Sequence, residues 1–225
     1  VALVDLKGRF QEILQRIEAA ARGSGRDPSE VRLLAVSKTF PAQAVQSLAG
    51  LGQLDFGENY VQEAQQKIEQ VRLPQLHWHL IGHLQSNKSL AAAKLFGTVH
   101  SLDRLSLAQR LDKAALAQRR RIKCFVQVHL GPEESKSGIL PENLQKELSS
   151  WPTFEFLELV GLMCIPPAQD SRRYFAQLRE LAAQLHQSGL LSGQQLSMGM
   201  SDDFEAAISE GSHWIRIGRA LFGER

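Results

Sequence analysis

Eight short apolar runs, each followed by a stretch of helical period, restrict this chain to very few architectures. The runs are Val31 to Thr39, Asp55 to Asn59, His77 to Gly82, Thr98 to Asp103, Ile122 to Leu130, Leu157 to Ile165, Gln195 to Met200 and Trp214 to Gly218. Their length and their share of β-branched and aromatic residues suit strands. Between them the apolar spacing predicts helices at about Pro41 to Leu51, Tyr60 to Val71, Ser86 to Phe96, Arg104 to Arg121, Pro141 to Ser150, Ser171 to Ser188 and Ser201 to Ser209. A last short turn runs through Leu221, and an amphipathic helix with Leu6, Phe10, Ile13, Leu14 and Ile17 on one stripe precedes the first strand.

Strands separated by helices run parallel, because each crossover returns the chain to the same end of the sheet. Eight such units without a long interruption predict a single (β/α)8 TIM-type barrel, 1–225 as one domain, with an extra N-terminal helix. An open doubly wound sheet usually has fewer strands and a Gly-rich turn after the first. Here that turn is Lys38-Thr39-Phe40-Pro41, which has no glycine.

With 225 residues, 43% of them hydrophobic, the chain can bury one large core. Its 26 basic and 24 acidic side chains leave a formal charge of +2, so no footprint for nucleic acid or an anionic membrane stands out. The cluster Arg119-Arg120-Arg121 is expected to end a helix, where cations suit the dipole. Cys124 and Cys164 sit in apolar runs without metal or redox spacing, which argues for a reducing, cytoplasmic setting. No charged-then-apolar leader opens the chain, and no apolar stretch approaches the roughly 18 residues of a membrane span, so a soluble protein is expected.

In a barrel, chemistry belongs at the carboxyl ends of the strands. Lys38 closes the first apolar run there, in phase with Leu34 and Val36, so if those two point inward its amine enters the barrel mouth. Burial disfavours an ammonium ion, which frees the amine as a nucleophile or base and suits imine chemistry. A lysine that snorkels to the rim is an equally good account of this residue alone.

The end of the chain adds a second signal. Gly199 and Ser201 stand where the seventh strand hands over to a helix, and Gly218-Arg219 repeats the arrangement after the eighth. The loops after strands seven and eight are the usual phosphate site of this fold, although helix capping and a tight turn would explain each separately. Arg216 alternates with Trp214 and Gly218, and so projects inward beside that cup. A lysine imine and a phosphate cup together point to pyridoxal 5'-phosphate, whose pyridine nitrogen is met by an Asp or an Arg. An arginine there does not give up its proton, leaves the ring unprotonated and weakens it as an electron sink.

Four further features are ambiguous. Asn59 suits either a cofactor oxygen or a helix cap. His77, His79 and His83 lie in one run without Asp, Glu or Cys, so core or rim hydrogen bonding is expected and no metal. Met163 would pack on a ring face or in the core, and the polar loop of residues 131–138 would serve as a lid or a solvated turn.

Taken together, Val36-Ser37-Lys38-Thr39, Phe56-Gly57-Glu58-Asn59-Tyr60, Trp78-His79-Leu80-Ile81-Gly82-His83-Leu84-Gln85-Ser86-Asn87-Lys88, Gly161-Leu162-Met163, Leu196-Ser197-Met198-Gly199-Met200-Ser201 and Arg216-Ile217-Gly218-Arg219-Ala220-Leu221-Phe222-Gly223 resemble the pyridoxal phosphate homeostasis proteins, nearly end to end. These are similar in fold to the N-terminal barrel of alanine racemase. The resemblance implies pyridoxal phosphate held as an imine on Lys38, phosphate at Ser201 and Gly218-Arg219, Arg216 facing the pyridine nitrogen, and Asn59, Met163 and Met200 lining the ring, with His79 also near the cofactor. Two positions depart from the family pattern: His129 stands where asparagine is common, and Arg219 where many relatives have threonine.

The family is linked to vitamin B6 balance and to amino- and keto-acid metabolism, without an established catalytic activity. The first expectation is therefore a reversible carrier or buffer of the cofactor, with no catalytic residue. A weak amino-acid racemase or lyase is the alternative, with Lys38 as one base and Tyr60, His79 or a partner's residue as the other; a phosphate-ester enzyme without pyridoxal is a third. Racemases dimerise through a second domain that this chain does not contain, so a monomer is expected, with amino acids as further small-molecule partners.

Overall fold

The computed structural model describes residues 3–132, 137–167 and 169–223, with side chains from residue 6 onward. Eight strands, β1 (Arg32–Val36), β2 (Asp55–Glu58), β3 (His77–Leu80), β4 (Thr98–Leu102), β5 (Ile122–Gln127), β6 (Leu157–Met163), β7 (Gln195–Ser197) and β8 (Trp214–Ile217), form a closed barrel in sequence order. All neighbouring pairs are parallel, and the β1–β8 pair, from Arg32↔Trp214 to Ala35↔Ile217, closes it. The helices are α1 (Leu3–Gly23), α2 (Ala42–Ala49), α3 (Val61–Val71), α4 (Ser89–Leu95), α5 (Leu105–Ala117), α6 (Pro141–Ser149), α7 (Ser171–Gln187), α8 (Phe204–Ser209) and α9 (Arg219–Phe222). The expected barrel and its additional N-terminal helix are both present.

Each strand stops one to three residues before its apolar run does. The overrun residues, among them Lys38, Asn59, Gly82 and Gly218, leave the ladder and build the mouth. Helix ends differ for local reasons. The α5 helix stops at Ala117 because Arg119 adopts a left-handed conformation (φ 51°), and Arg120 donates to the carbonyls of Ala93 and Lys94 at the end of α4 rather than to its own helix. Ser86–Lys88 is a short 3-10 turn that leads into α4.

Apolar packing lies mainly between the strands and the helical shell. In α1 the buried stripe is Leu6, Phe10, Ile13, Ile17 and Ala21, a helical repeat that leaves Leu14 outside at 42% exposure. This helix packs across α8 and α9. Arg16 bonds Glu205 at 2.6 Å, and Arg26, three residues past the end of the helix, donates to the carbonyls of Ile208 (2.9 Å) and Ser212 (2.8 Å). The added helix thus braces the last two units, which carry the Ser201 and Gly218 turns. The barrel interior has a smaller apolar cluster, Leu34, Phe125, Val160, Met163 and Trp214, and it shares that space with polar side chains.

Candidate functional site

At the carboxyl ends of the strands opens a cleft of about 430 Å³, within the range of roughly 300–1,000 Å³ usual for small-molecule sites. Lys38, Asn59, Met200, Ser201, Arg216, Gly218 and Arg219 line it, together with Val36, Ile81, Gly82, His83, residues 127–130, Ser137 and Ile165. Three cationic side chains and no carboxylate are in that lining among the described residues, so the cleft favours an anion.

Lys38 is half-buried in a turn whose backbone is held from several sides. Ser37 N–H donates to the Gly57 carbonyl at 3.0 Å, and the Ser37 carbonyl accepts from Lys67 Nζ at 2.7 Å. Thr39 is left-handed (φ 66°), a conformation that costs a β-branched residue about 1–3 kcal/mol, and its N–H donates to Glu63 Oε1. Phe40 stacks on Phe222 with ring centroids 4.8 Å apart, which ties this turn to α9.

Lys67 reaches this turn from α3. Its Nζ contacts Glu58 Oε1 at 2.5 Å and Glu63 Oε1 at 3.1 Å, and Ser37 Oγ donates to Glu58 Oε1 at 2.6 Å. Glu58 is fully buried and its Oε2 has no hydrogen-bond partner among the described residues; burial, only partly offset by Lys67, pushes its carboxyl above the usual range. Sequence reasoning passed over this pair. The signal was there, since Val61, Ala64, Lys67 and Val71 form one buried face of α3, and a lysine on such a face needs a partner.

On the far side, the loops after β7 and β8 meet. Ala220 N–H points to Ser201 Oγ at 3.4 Å, and Arg219 bonds Asp202 at 2.7 Å. Gly199 serves the protein rather than a ligand: at φ 93°, a Cβ there would lie 2.5 Å from the Ala207 Cβ of α8. Gly82 does shape the mouth, because a Cβ would lie 2.3 Å from the Asn59 carbonyl oxygen. Of the 131–138 loop, residues 133–136 lie outside the described residues. Its far end folds back on β5, where Gln127 Nε2 donates to the Ser137 carbonyl at 2.8 Å.

Arg216 forms the floor at 5% exposure. Its Nη1 donates to Ser197 Oγ and its Nη2 to the Cys164 carbonyl, each at 2.9 Å. Burial pushes its pKa down, but a guanidinium stays charged. Burial also pushes the Cys164 thiol up to about 12, so it remains a neutral thiol.

Two expected site residues are not in the cleft. Met163 is fully buried in the interior cluster with Leu34 and Trp214, the commoner fate of a strand methionine. His79 lies below the floor at 3% exposure, its ring 4.8 Å from Trp214 and its Nδ1 3.0 Å from His100 Nε2. Tyr60 is 62% exposed at the start of α3 and does not line the cleft. No cluster of three metal-ligating side chains occurs among the described residues.

Burial holds both His79 and His100 below the usual histidine range, His100 well below it. A depressed folded-state pKa means that the unfolded chain takes up protons first. Stability is therefore expected to fall as pH drops below about 6.5, by up to about 1.4 kcal/mol per pH unit for each ring that stays neutral. Urea unfolding midpoints between pH 8 and 5 check this, and a flat profile would contradict it.

Residues 9–225 match the family described as alanine racemase, N-terminal domain. The chain belongs to that family. Within it, the chain groups with the pyridoxal phosphate homeostasis proteins: that of Pseudomonas aeruginosa is 47% identical over 218 residues, covering 95% of this chain and 93% of the relative. PipY of Synechococcus elongatus, solved with pyridoxal phosphate bound, superposes with a TM-score of 0.83 at 41% identity, over 94% of this chain and all of that one. Alanine racemase of Clostridium difficile shares the fold alone, with a TM-score of 0.73 at 16% identity over 98% of this chain and 57% of the racemase. Among the described residues no helix is long and apolar enough to cross a membrane.

Proposed function

We propose that this member of the family binds pyridoxal 5'-phosphate reversibly, as an imine on Lys38, and acts as a carrier or buffer in vitamin B6 homeostasis. The observation that carries the reading is a half-buried amine facing a cleft with no lining carboxylate among the described residues and a fixed arginine at its floor. A relative solved with this cofactor supports the same ligand.

The residues fit the group. Bound, it would supply an aldehyde that condenses with the Lys38 amine with loss of one water, and that hydrolysis releases. Ser201, Gly218 and Arg219 suit the phosphate, Asn59 a ring oxygen, and Met200 a ring face. Arg216 can only donate, so toward the pyridine nitrogen it holds position and supplies no transferable proton. That favours retention of the cofactor over turnover. A monomer is the assembly proposed, and two free buried thiols fit a reducing cytoplasm.

The phosphate cup has a built-in competitor. Arg219 and Asp202 are both largely exposed, so their pairing contributes little to stability but occupies the guanidinium. Asp202→Asn is expected to tighten pyridoxal phosphate binding several-fold without shifting the unfolding midpoint, as read by absorbance titration. Unchanged affinity would remove Arg219 from the cup.

A weak racemase remains the second reading, because His83 lines the cleft and offers a second acid–base group. Incubation of the loaded protein with amino acids in deuterated water separates the two. The carrier reading predicts no exchange at the α-carbon above the rate of free cofactor. Exchange at enzymatic rates that disappears in Lys38→Ala would overturn it.

A further inference from the structure

Below the cleft, a line of polar side chains runs through the barrel interior to the opposite face. Arg216 Nη1 lies 2.9 Å from Ser197 Oγ, and Ser197 Oγ 2.8 Å from His100 Nδ1. His100 Nε2 lies 3.0 Å from His79 Nδ1, and His79 Nε2 lies 3.3 Å from Asp55 Oδ1. Asp55 is also met at 3.0 Å by the exposed His77 and faced by Arg32, whose guanidinium covers the Trp214 ring at 4.8 Å.

The carboxylate end dictates the direction of this line. A guanidinium only donates, so Ser197 Oγ accepts from Arg216, which leaves its single proton available for His100 Nδ1. His100 then carries its proton on Nε2 and donates to His79 Nδ1, which leaves His79 Nε2–H for Asp55. A carboxylate only accepts, so a neutral His79 carries its proton on Nε2 and takes a hydrogen bond from His100 at Nδ1, which fixes this order back to Ser197. In this arrangement a second proton on His79 would set its Nδ1–H against the Nε2–H of His100. The surroundings agree: His100, stacked on Phe125 at 4.5 Å, and His79, packed on Trp214, are both buried, and loss of solvent disfavours an imidazolium. For Asp55, burial alone would raise the carboxyl, but the His79 bond and the charge of Arg32 outweigh it and hold it below its ordinary value.

We propose that Ser197, His100, His79 and Asp55 are positioning residues, a one-directional hydrogen-bond chain that anchors Arg216 against the charge of Asp55 at the amino-terminal face of the barrel. The chain is not a proton conduit, because it begins at a group that cannot give up its proton. It transmits orientation and charge. Its neutral links polarise one another between a fixed cation and a fixed anion, so the guanidinium presented to the cleft is set by a carboxylate four hydrogen bonds away. The consequence for ligand binding rests on the reading of the cleft as a pyridoxal phosphate site; the chain itself does not.

The test therefore has two arms. In the ligand-free protein at neutral pH, nitrogen-15 NMR of the histidine rings is expected to show protons on Nε2 of both His79 and His100, and a proton on His100 Nδ1 would overturn the chain. In the loaded protein, Ser197→Ala and Asp55→Asn, the second keeping an acceptor for His79 while removing the charge, are each expected to weaken pyridoxal phosphate binding about ten-fold. Each should also shift the pH midpoint of the imine absorbance, while borohydride still traps the adduct on Lys38. Folded variants with wild-type affinity and pH profile would refute the positioning role. If wild-type protein forms no imine at all, the ligand reading fails while the NMR arm still decides the chain.

Discussion

Lys38→Ala is expected to give a folded barrel that no longer develops imine absorbance with pyridoxal phosphate and binds it about a hundred-fold more weakly or worse, a loss of roughly 2.7 kcal/mol or more. Lys38 sits half-buried in a turn rather than in the core, so the unfolding midpoint should move by about 1 kcal/mol or less. Residual affinity would come from the phosphate cup and Arg216, which the substitution leaves intact. Lys38→Arg should do no better, because a guanidinium cannot condense with the aldehyde. Equal absorbance in wild type and Lys38→Ala would mean that another amine is the attachment point.

Lys67→Met should have the largest effect on stability. It leaves Glu58 buried with one hydrogen-bonded oxygen and no counter-charge, a defect that costs about 3–5 kcal/mol. Glu58→Gln should cost less, since Lys67 keeps Glu63 at 3.1 Å and the Ser37 carbonyl at 2.7 Å. The pH dependence carries the same signature. Burial already raises the Glu58 pKa, and losing Lys67 raises it further. A raised carboxyl pKa makes the folded state most stable below the unfolded value of about 4.3, with stability lost as pH rises through the folded value. Lys67→Met should therefore lose progressively more stability relative to wild type as pH rises above about 4.3, and the double substitution Glu58→Gln/Lys67→Met should remove that slope. Because Lys67 also holds the Ser37 carbonyl, ligand affinity should fall in the single variant even where it is folded. Urea titrations across that pH range, with absorbance titrations alongside, read both effects.

What the sequence made legible follows from how local each signal is. Eight apolar runs and their helical intervals stated the barrel outright, because period and order are properties of neighbouring residues. Lys38, Ser201, Arg216 and Gly218 are legible because they stand at or just beyond the ends of the first, seventh and eighth strands, where this fold exposes residues to the mouth. Depth along a strand was harder to read. His79 and Met163 alternate correctly toward the interior, but the barrel stacks its inward side chains in layers, and the register that sets a residue's layer depends on the neighbouring strands. The same limit hid the interior chain. His100 and Ser197 belong to β4 and β7, nearly a hundred residues apart, and only closure of the barrel brings them within 2.8 Å. Arg120 shows the limit for helices, since its cation serves the end of α4 and not the helix that precedes it.

The central claim is that Lys38 is the covalent attachment point in a cleft that keeps its cofactor rather than turning it over. It is tested most directly by saturating the protein with pyridoxal 5'-phosphate, reducing with borohydride and mapping the adduct by peptide mass spectrometry. The account predicts one near-stoichiometric reduced adduct, on the peptide containing Lys38, with none on that peptide when free amine is added first to strip the cofactor. Modification spread over surface lysines, or absent from Lys38, would contradict it.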